Sequence, residues 1–579
     1  MSNYRHFSLA AYFVAHAAAR VTREELEKQL AFMERYIRLD KVYLEPWRGE
    51  LVPREQIALC RSVLSAHGIE VAGGLTTVIP TPEGDAPKQR LFGTFCYNDA
   101  KMRQRLREIS AYTASLFDEF LIDDFFFTNC TCAACIQARD EFNRAHGIKS
   151  GWQSYRLDLM RRVSEEDVIA PAKAANPNCR VIIKYPNWAE SYQETGYNPA
   201  EQRGLFDGLY TGTETRDPVT TDQHLPRYLS FSLMTYFENM WPGHNGGGWF
   251  DNFDTHITEH YLEQAYLTAF SRPKELMLFC FQSLYDHMYV PALGFQLDKL
   301  DSLLDYAGKP AGIACFLPDN AQGEDNVQDY LGMAGLPVVC TPYFPQDASQ
   351  ILLTASSAYD PDILEKLRAY LASGKKTALV TTGFWEAVKD RGYEDLTSIR
   401  VSARRVTARR YRVEERQNVC VFPEGARPVT LPAPEFRNNS TWALVKASFG
   451  EESSAILLRD AYKDSALFTL SVPDARPDIY HLPAPVLSAV RRHLPVNGVW
   501  LEGPARISLF VYDNDTVILY PYVMEGVQRG RVMLHVRGAR ALCSRPAGRT
   551  VQPLYVRDGE AVFDLPAEPG RYTLYQIIR

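Results

Sequence analysis

Two aspartates stand side by side inside an apolar run, Phe120-Leu-Ile-Asp123-Asp124-Phe-Phe-Phe127. Taking two carboxylates out of water there is costly, so at least one must meet a polar cleft or a partner. Two further acids close other runs: Glu214 in Tyr210-Thr-Gly-Thr-Glu-Thr-Arg-Asp217, and Glu238 in Leu233-Met-Thr-Tyr-Phe-Glu-Asn239. Paired carboxyl groups can cleave a glycosidic bond. One protonates the leaving oxygen while the other attacks the anomeric carbon or activates water. Asp123, Asp124, Glu214 and Glu238 are the candidates. A plainer use exists for each aspartate, anchoring a loop by accepting backbone N–H bonds, and for Glu214, pairing with the nearby Arg216.

Other polar and aromatic residues stand at similar run ends. Glu45, Lys184 and Asn187 can bond sugar hydroxyls; Trp47, Tyr185, Trp188 and Tyr236 offer flat faces for a sugar ring. The segment Pro242-Gly-His-Asn-Gly-Gly-Gly-Trp249 lacks the Gly-Lys-Ser/Thr ending of a phosphate loop and opens no obvious helix. It is expected to be a loop that carries His244, Asn245 and Trp249 to the rim of the site. Cys130, Cys132 and Cys135 form the one clustered cysteine group. Their thiolates can converge on a structural zinc, with Cys96 or His146 as fourth ligand. Free thiols packed in a loop are the simpler alternative.

The elements that must position these residues alternate regularly over the first 310 positions. Apolar or β-rich runs occur at Phe7–Val14, Lys41–Pro46, Glu70–Ile79, Glu119–Phe127, Arg180–Pro186, Gly208–Thr213, Leu233–Glu238 and Glu275–Gln282. Between them lie helix-period stretches such as Thr22–Leu39, where Thr22 and Glu25 have capping-box spacing. Eight strand–helix units over this length predict a closed (β/α)8 TIM barrel, an α/β fold whose active site lies at the C-terminal strand ends. A second α/β segment follows over 311–495, with a β-rich insertion near 398–445; 496–579 reads as short alternating strands, a small β-sandwich.

Composition narrows the partners. With 63 basic against 70 acidic residues the formal charge is −7, without long single-sign runs, which disfavours nucleic acid and anionic membranes. No run reaches the ~18 apolar residues of a membrane helix. Eleven cysteines, mostly scattered, suit a reducing compartment, so a cytoplasmic location is expected.

The chain resembles the clan A glycoside hydrolases, especially the family 42 β-galactosidase type. The likeness rests on domain order and on Phe316-Leu-Pro-Asp-Asn-Ala-Gln-Gly-Glu-Asp325, Tyr330-Leu-Gly-Met333, Ile351-Leu-Leu-Thr354, Pro361-Asp-Ile-Leu364 and Gly374-Lys375. It implies a flavodoxin-like domain akin to the β-galactosidase trimerisation domain at 311–495, and a homo-oligomer, dimer or trimer. It also implies an exo-acting, retaining hydrolase of an oligosaccharide or glycoside, with no cofactor required for catalysis. The cysteines after strand four resemble the family 42 zinc cluster. In clan A the acid/base ends strand four and the nucleophile ends strand seven, positions matched by Asp124 (or Asp123) and Glu238. Asp-Asp stands where clan A usually has Asn-Glu. That departure keeps open the layout of α-retaining barrels, with a strand-four Asp as nucleophile and a strand-six acid, here Glu214. It equally keeps open a non-catalytic carbohydrate-binding protein on a degenerate barrel.

Overall fold

The computed structural model describes residues 3–78, 93–415, 418–421, 427–524 and 527–579. Ile79, the end of the expected third strand, and parts of the expected 398–445 insertion lie outside them. The chain divides into two compact units, one of residues 1–224 and 240–301, the other of residues 225–239 and 302–579.

The first unit is a closed barrel of eight parallel strands: β1 (Ser8–Phe13), β2 (Lys41–Leu44), β3 (Glu70–Leu75), β4 (Glu119–Ile122), β5 (Arg180–Tyr185), β6 (Gly208–Gly212), β7 (Asn245–Asp251) and β8 (Glu275–Phe279). Pairing of β1 with β8, Ser8 opposite Glu275, closes the ring. Strands covered on both faces read as near-continuous apolar runs, and these do. The interior layer is filled by Ala10, Tyr12, Tyr43, Leu121, Ile182, Tyr210, Trp249 and Met277. Each fully buried large side chain of such a layer contributes about 2–3 kcal/mol by transfer from water. The Tyr12 ring lies over Gly74, where a Cβ would come within 2.6 Å of its hydroxyl. On the outside, the helix Arg23–Met33 opens with the capping box Thr22–Glu25.

Two sequence expectations are corrected here. Leu233–Glu238 is not a strand; it belongs to the helix Leu229–Met240. The glycine-rich segment is not a loop; most of it is β7. Only Glu238 and Asn239 of this helix are exposed, so its sequence has no broad polar face to mark a helical period. The glycines admit close neighbours, the usual meaning of glycine inside a strand. A Cβ on Gly247 would lie 2.1 Å from the Glu275 carbonyl oxygen, and one on Gly248 2.2 Å from Thr268 Cγ2.

The second unit contains a nine-stranded sheet. Val338–Thr341, Ile313–Phe316, Gln350–Leu353, Thr377–Thr381 and Ser465–Leu470 lie parallel in that spatial order, which is 2-1-3-4-5 along the chain. That is the order of one common doubly wound sheet. The strands Glu452–Tyr462, Thr441–Phe449, Arg410–Glu415 and Asn418–Val421 extend it antiparallel. Further antiparallel sheets of four and six strands, and a two-stranded one pairing Arg405–Ala408 with Val429–Pro432, belong to the same unit. Residues 225–239 pack within it: Tyr228 stacks on Phe510, with ring centroids 5.4 Å apart, and Asn239 donates to the Cys340 carbonyl at 2.8 Å. The buried Arg491 donates to the carbonyls of Ala334, Leu501, Gly503 and Pro504.

Candidate active site

At the C-terminal ends of the barrel strands a buried ammonium joins two carboxylates. Lys184, on β5, donates from Nζ to Asp124 Oδ2 at 2.6 Å and to Glu214 Oε1 at 2.9 Å. The strand ladder of β4 stops at Ile122, and Asp123 and Asp124 leave it in a turn. Glu214 follows β6, and Gly212 makes room for it: a Cβ there would meet Glu214 Oε2 at 2.8 Å. The Trp249 ring, from β7, lies 4.3 Å from Lys184 Nζ. Burial works against the ammonium, but Asp124 and Glu214 outweigh it and hold the Lys184 pKa above the usual lysine value.

The carboxyl groups differ in environment. Asp124 retains exposure, with 15% of its side chain accessible. Glu214 is buried, and its Oε2 has no hydrogen-bond partner among the described residues. Burial raises its pKa, with Lys184 opposing the rise and Asp124 and Asp251 adding to it. Asp123 is enclosed by donors: Thr76 Oγ1 at 2.9 Å, the Phe125 N–H at 3.1 Å and Arg48 Nη2 at 3.3 Å. Burial nevertheless pushes its pKa up to about 7, against the pull of Arg48.

Around this centre lie two arginine clamps. Arg48 holds Glu45, the residue after β2, through Nε and Nη2, both at 2.8 Å; Glu45 also accepts from Tyr12 Oη at 2.9 Å and the Ala15 N–H at 2.8 Å. Arg216 grips Asp251, the last residue of β7, through Nε at 3.0 Å and Nη2 at 2.8 Å. Asn187 donates to the Glu214 carbonyl at 2.6 Å and so fixes the backbone that carries the acid. Carboxylates thus stand at four strand ends, and the two held against one cation, Asp124 and Glu214, can between them transfer a proton and present a nucleophile.

Comparison with known proteins assigns the barrel. Residues 1–298, just over half of the chain, match the family model described as "Probable glycosyl hydrolase, catalytic domain". The chain belongs to this glycosyl hydrolase family. Residues 308–475 match the model for the second domain of the uncharacterized protein SSO3021. SSO3021 itself, from Saccharolobus solfataricus, is 24% identical over 511 residues, covering 81% of this chain and 82% of that protein. Among solved structures, α-L-fucosidase isoenzyme 2 from Paenibacillus thiaminolyticus superposes with a TM-score of 0.64 at 11% identity, over 99% of both chains. The exo-β-1,4-mannosidase Op5Man5 from Opitutaceae bacterium strain TAV5 gives 0.51 at 10% identity, over 81% of this chain and 92% of that one. Both show the same fold.

The cluster at the barrel mouth gathers some of the expected residues and excludes others. Asp123, Asp124, Glu214, Glu45, Lys184, Asn187 and Trp249 come together. Glu238 and Tyr236 do not: both sit on the helix Leu229–Met240, within the stretch that belongs to the second unit, Glu238 exposed and Tyr236 buried. His244 precedes β7 and therefore lies at the N-terminal ends of the strands, stacked on Trp241 beside a cavity of about 270 Å³ that Lys41, Glu119 and Glu275 also line. Asn245 begins β7 and takes a 3.3 Å bond from Thr211, also far from the mouth. Tyr185 is one residue past Lys184 and so points outward, its hydroxyl 3.1 Å from Gln202. Trp47 and Trp188 meet Phe95 and Phe127 edge-on, as packing. Sequence reasoning missed Arg48 and Asp251, and gave Arg216 only a pairing with Glu214. The carboxylate ending Trp-Phe-Asp251 would have been found had the glycine run been read as a strand.

Cys130, Cys132 and Cys135, in and just after the loop following β4, are joined by Cys96; the four Sγ atoms lie within 4.8 Å of one another. Cys96 Sγ is 3.7 Å from Cys132 and 3.5 Å from Cys135. His146 is not the fourth member; its ring stacks on Phe142.

Proposed function

We propose that the barrel is a retaining glycoside hydrolase that removes a terminal α-linked sugar, with Asp124 as nucleophile and Glu214 as acid and base. One observation carries this reading: Lys184 Nζ is shared by both carboxylates. Bonds of 2.6 and 2.9 Å to one nitrogen cap the separation of those two oxygens at 5.5 Å. Retaining enzymes hold their carboxyl groups about 5–5.5 Å apart, whereas inverting enzymes leave about 6.5–9.5 Å for a water. The pairing of strands four and six is also the layout of α-retaining barrels, which the departure from the clan A pattern at strand four keeps open. A family 42 layout would need a nucleophile at the end of strand seven. The carboxylate there is Asp251, and both of its oxygens are taken by Arg216.

In the first half-reaction protonated Glu214 gives its proton to the glycosidic oxygen as Asp124 attacks the anomeric carbon. The C–O bond to the leaving group breaks and a glycosyl ester forms on Asp124. In the second, ionised Glu214 takes a proton from water, whose oxygen displaces Asp124 and restores the first anomeric configuration. Burial suits Glu214 to the first step by favouring its neutral form, and Lys184 suits it to the second by stabilising the carboxylate.

The test is a panel of 4-nitrophenyl α- and β-glycosides, α-L-fucoside and β-mannoside among them, with the first-formed anomer read by proton NMR. We expect retention on an α-glycoside. Glu214→Gln should lower kcat by about 10²–10⁴-fold, and Asp124→Asn by at least as much. An inverted product, or full activity in Asp124→Asn, would overturn the assignment. We further propose that Cys96, Cys130, Cys132 and Cys135 hold a structural zinc. Four thiolates fit its tetrahedral preference, and Zn–S bonds of about 2.3 Å place sulfurs near the spacings found.

A further inference from the structure

We infer that the leaving group rests on an aromatic path that climbs from the carboxylates to solvent along β7 and β8, and that the enzyme therefore prefers aglycones with a flat apolar ring. The inference rests on Glu214 being the acid. The path starts at Trp249, beside Lys184. Phe279, the last residue of β8, stacks on Trp249 with centroids 5.0 Å apart and planes at 26°. Phe253 follows at 5.7 Å from Phe279 and 48°. Accessibility rises along it: Trp249 is 3% exposed, Phe279 half-buried, Phe253 45% exposed. A lone exposed phenylalanine means little. This one is the outer end of a continuous set of ring contacts rooted at the site.

The position of Phe253 is also fixed relative to the acid. Its N–H donates to Asp251 Oδ1 at 3.1 Å, and the same carboxylate is gripped by Arg216, two residues beyond Glu214 in the chain. One clamp thus ties the strand end bearing the acid to the loop bearing the ring. The glycosidic oxygen must come within about 2.6–3.2 Å of the Glu214 carboxyl group to be protonated. The first atoms of the leaving group therefore lie beside the β6–β7 edge, where the path begins.

The experiment compares Phe253→Ala with the unaltered enzyme on the 4-nitrophenyl glycoside, and on the glycosyl fluoride, of whichever sugar the panel shows to be turned over. Fluoride is a leaving group without a ring and needs little protonation. The ratio of kcat/KM for the aryl glycoside to that for the fluoride should fall about five- to tenfold in Phe253→Ala, the loss carried by KM, the size of one aromatic contact. Phe253→Trp should restore the ratio. An unchanged ratio overturns the inference and leaves the glycosidase reading standing. Unaltered enzyme inert on every glycoside in the panel would overturn that reading first, and this inference with it.

Discussion

Asp123 and Asp124 are adjacent in the chain and do opposite work. Asp123 is surrounded by Thr76, the Phe125 N–H and Arg48, which fix the turn leaving β4. Asp124 keeps an accessible face and one strong partner, Lys184. That lysine is the residue on which the site's electrostatics turn. A cation within bonding distance of Glu214 favours its ionised form; replacing it with a neutral side chain leaves burial and the charges of Asp124 and Asp251, all favouring the protonated acid, set against the smaller pull of Arg216. In Lys184→Met the basic limb of kcat/KM against pH should therefore move upward, by about 1–3 units, the usual effect of one adjacent opposite charge. The maximum rate should fall with it, because ionised Glu214 is no longer stabilised for the second step. A basic limb at an unchanged pH in an enzyme that still folds would show that Lys184 and the acid are not coupled.

At the scale of elements, what was legible and what was not have physical reasons. Runs such as Ser8–Phe13 and Arg180–Tyr185 announce buried parallel strands, because covering both faces demands apolar residues throughout. The barrel was therefore readable, and with it the strand ends bearing Glu45, Asp124, Lys184 and Glu214. The strand β7 was not, since three consecutive glycines look like a loop until the Glu275 carbonyl and Thr268 are seen pressed against them. That error moved the expected strand-seven acid from Asp251 to Glu238. The facing of neighbours was equally hidden: a strand buried on both sides does not reveal that Lys184 points inward and Tyr185 outward. Cys96, at the end of a long connection, was legible only as one of two choices for a fourth ligand. Its place beside Cys132 and Cys135 ties the chain before the helix Ala100–Leu116 to the loop after β4. If that tie is a zinc site, purified protein should carry about one zinc per chain by elemental analysis. Its removal with a strong chelator should lower the melting temperature by about 5–10 °C, with Cys135→Ser reproducing the loss. Metal-free protein with an unaltered melting temperature would refute the site.

For the molecule as a whole, the order of the chain is not the order of its compact parts. A cut near residue 310 looks natural in sequence, since the barrel strands end at Phe279 and the next strand starts at Pro310. Yet residues 225–239 belong with residues 302–579. Their helix buries Leu229, Phe231, Leu233, Met234 and Phe237. It meets its own unit through Phe231 edge-on to Phe510, Tyr228 stacked on the same ring, and bonds from Tyr228 and Asn239 to the carbonyls of Val338 and Cys340. A fragment of residues 1–310 keeps every barrel strand and every carboxylate of the site, but loses all of those partners. It must then expose the rings of Tyr228 and Phe231, which stack on and meet Phe510 in the full chain, and exposed apolar patches of this kind favour association. We expect this fragment to be recovered mainly as aggregate, with less than about a tenth of the soluble yield of the full chain. The surface responsible can be identified by change as well as by deletion. Replacing Tyr228 and Phe231 with Ser in the fragment should raise its solubility, whereas the same pair in the full chain should cost stability, about 3–5 kcal/mol for Phe231 alone. A soluble, cooperatively melting fragment without those replacements would show instead that the barrel is self-sufficient and that the helix merely borrows its neighbours.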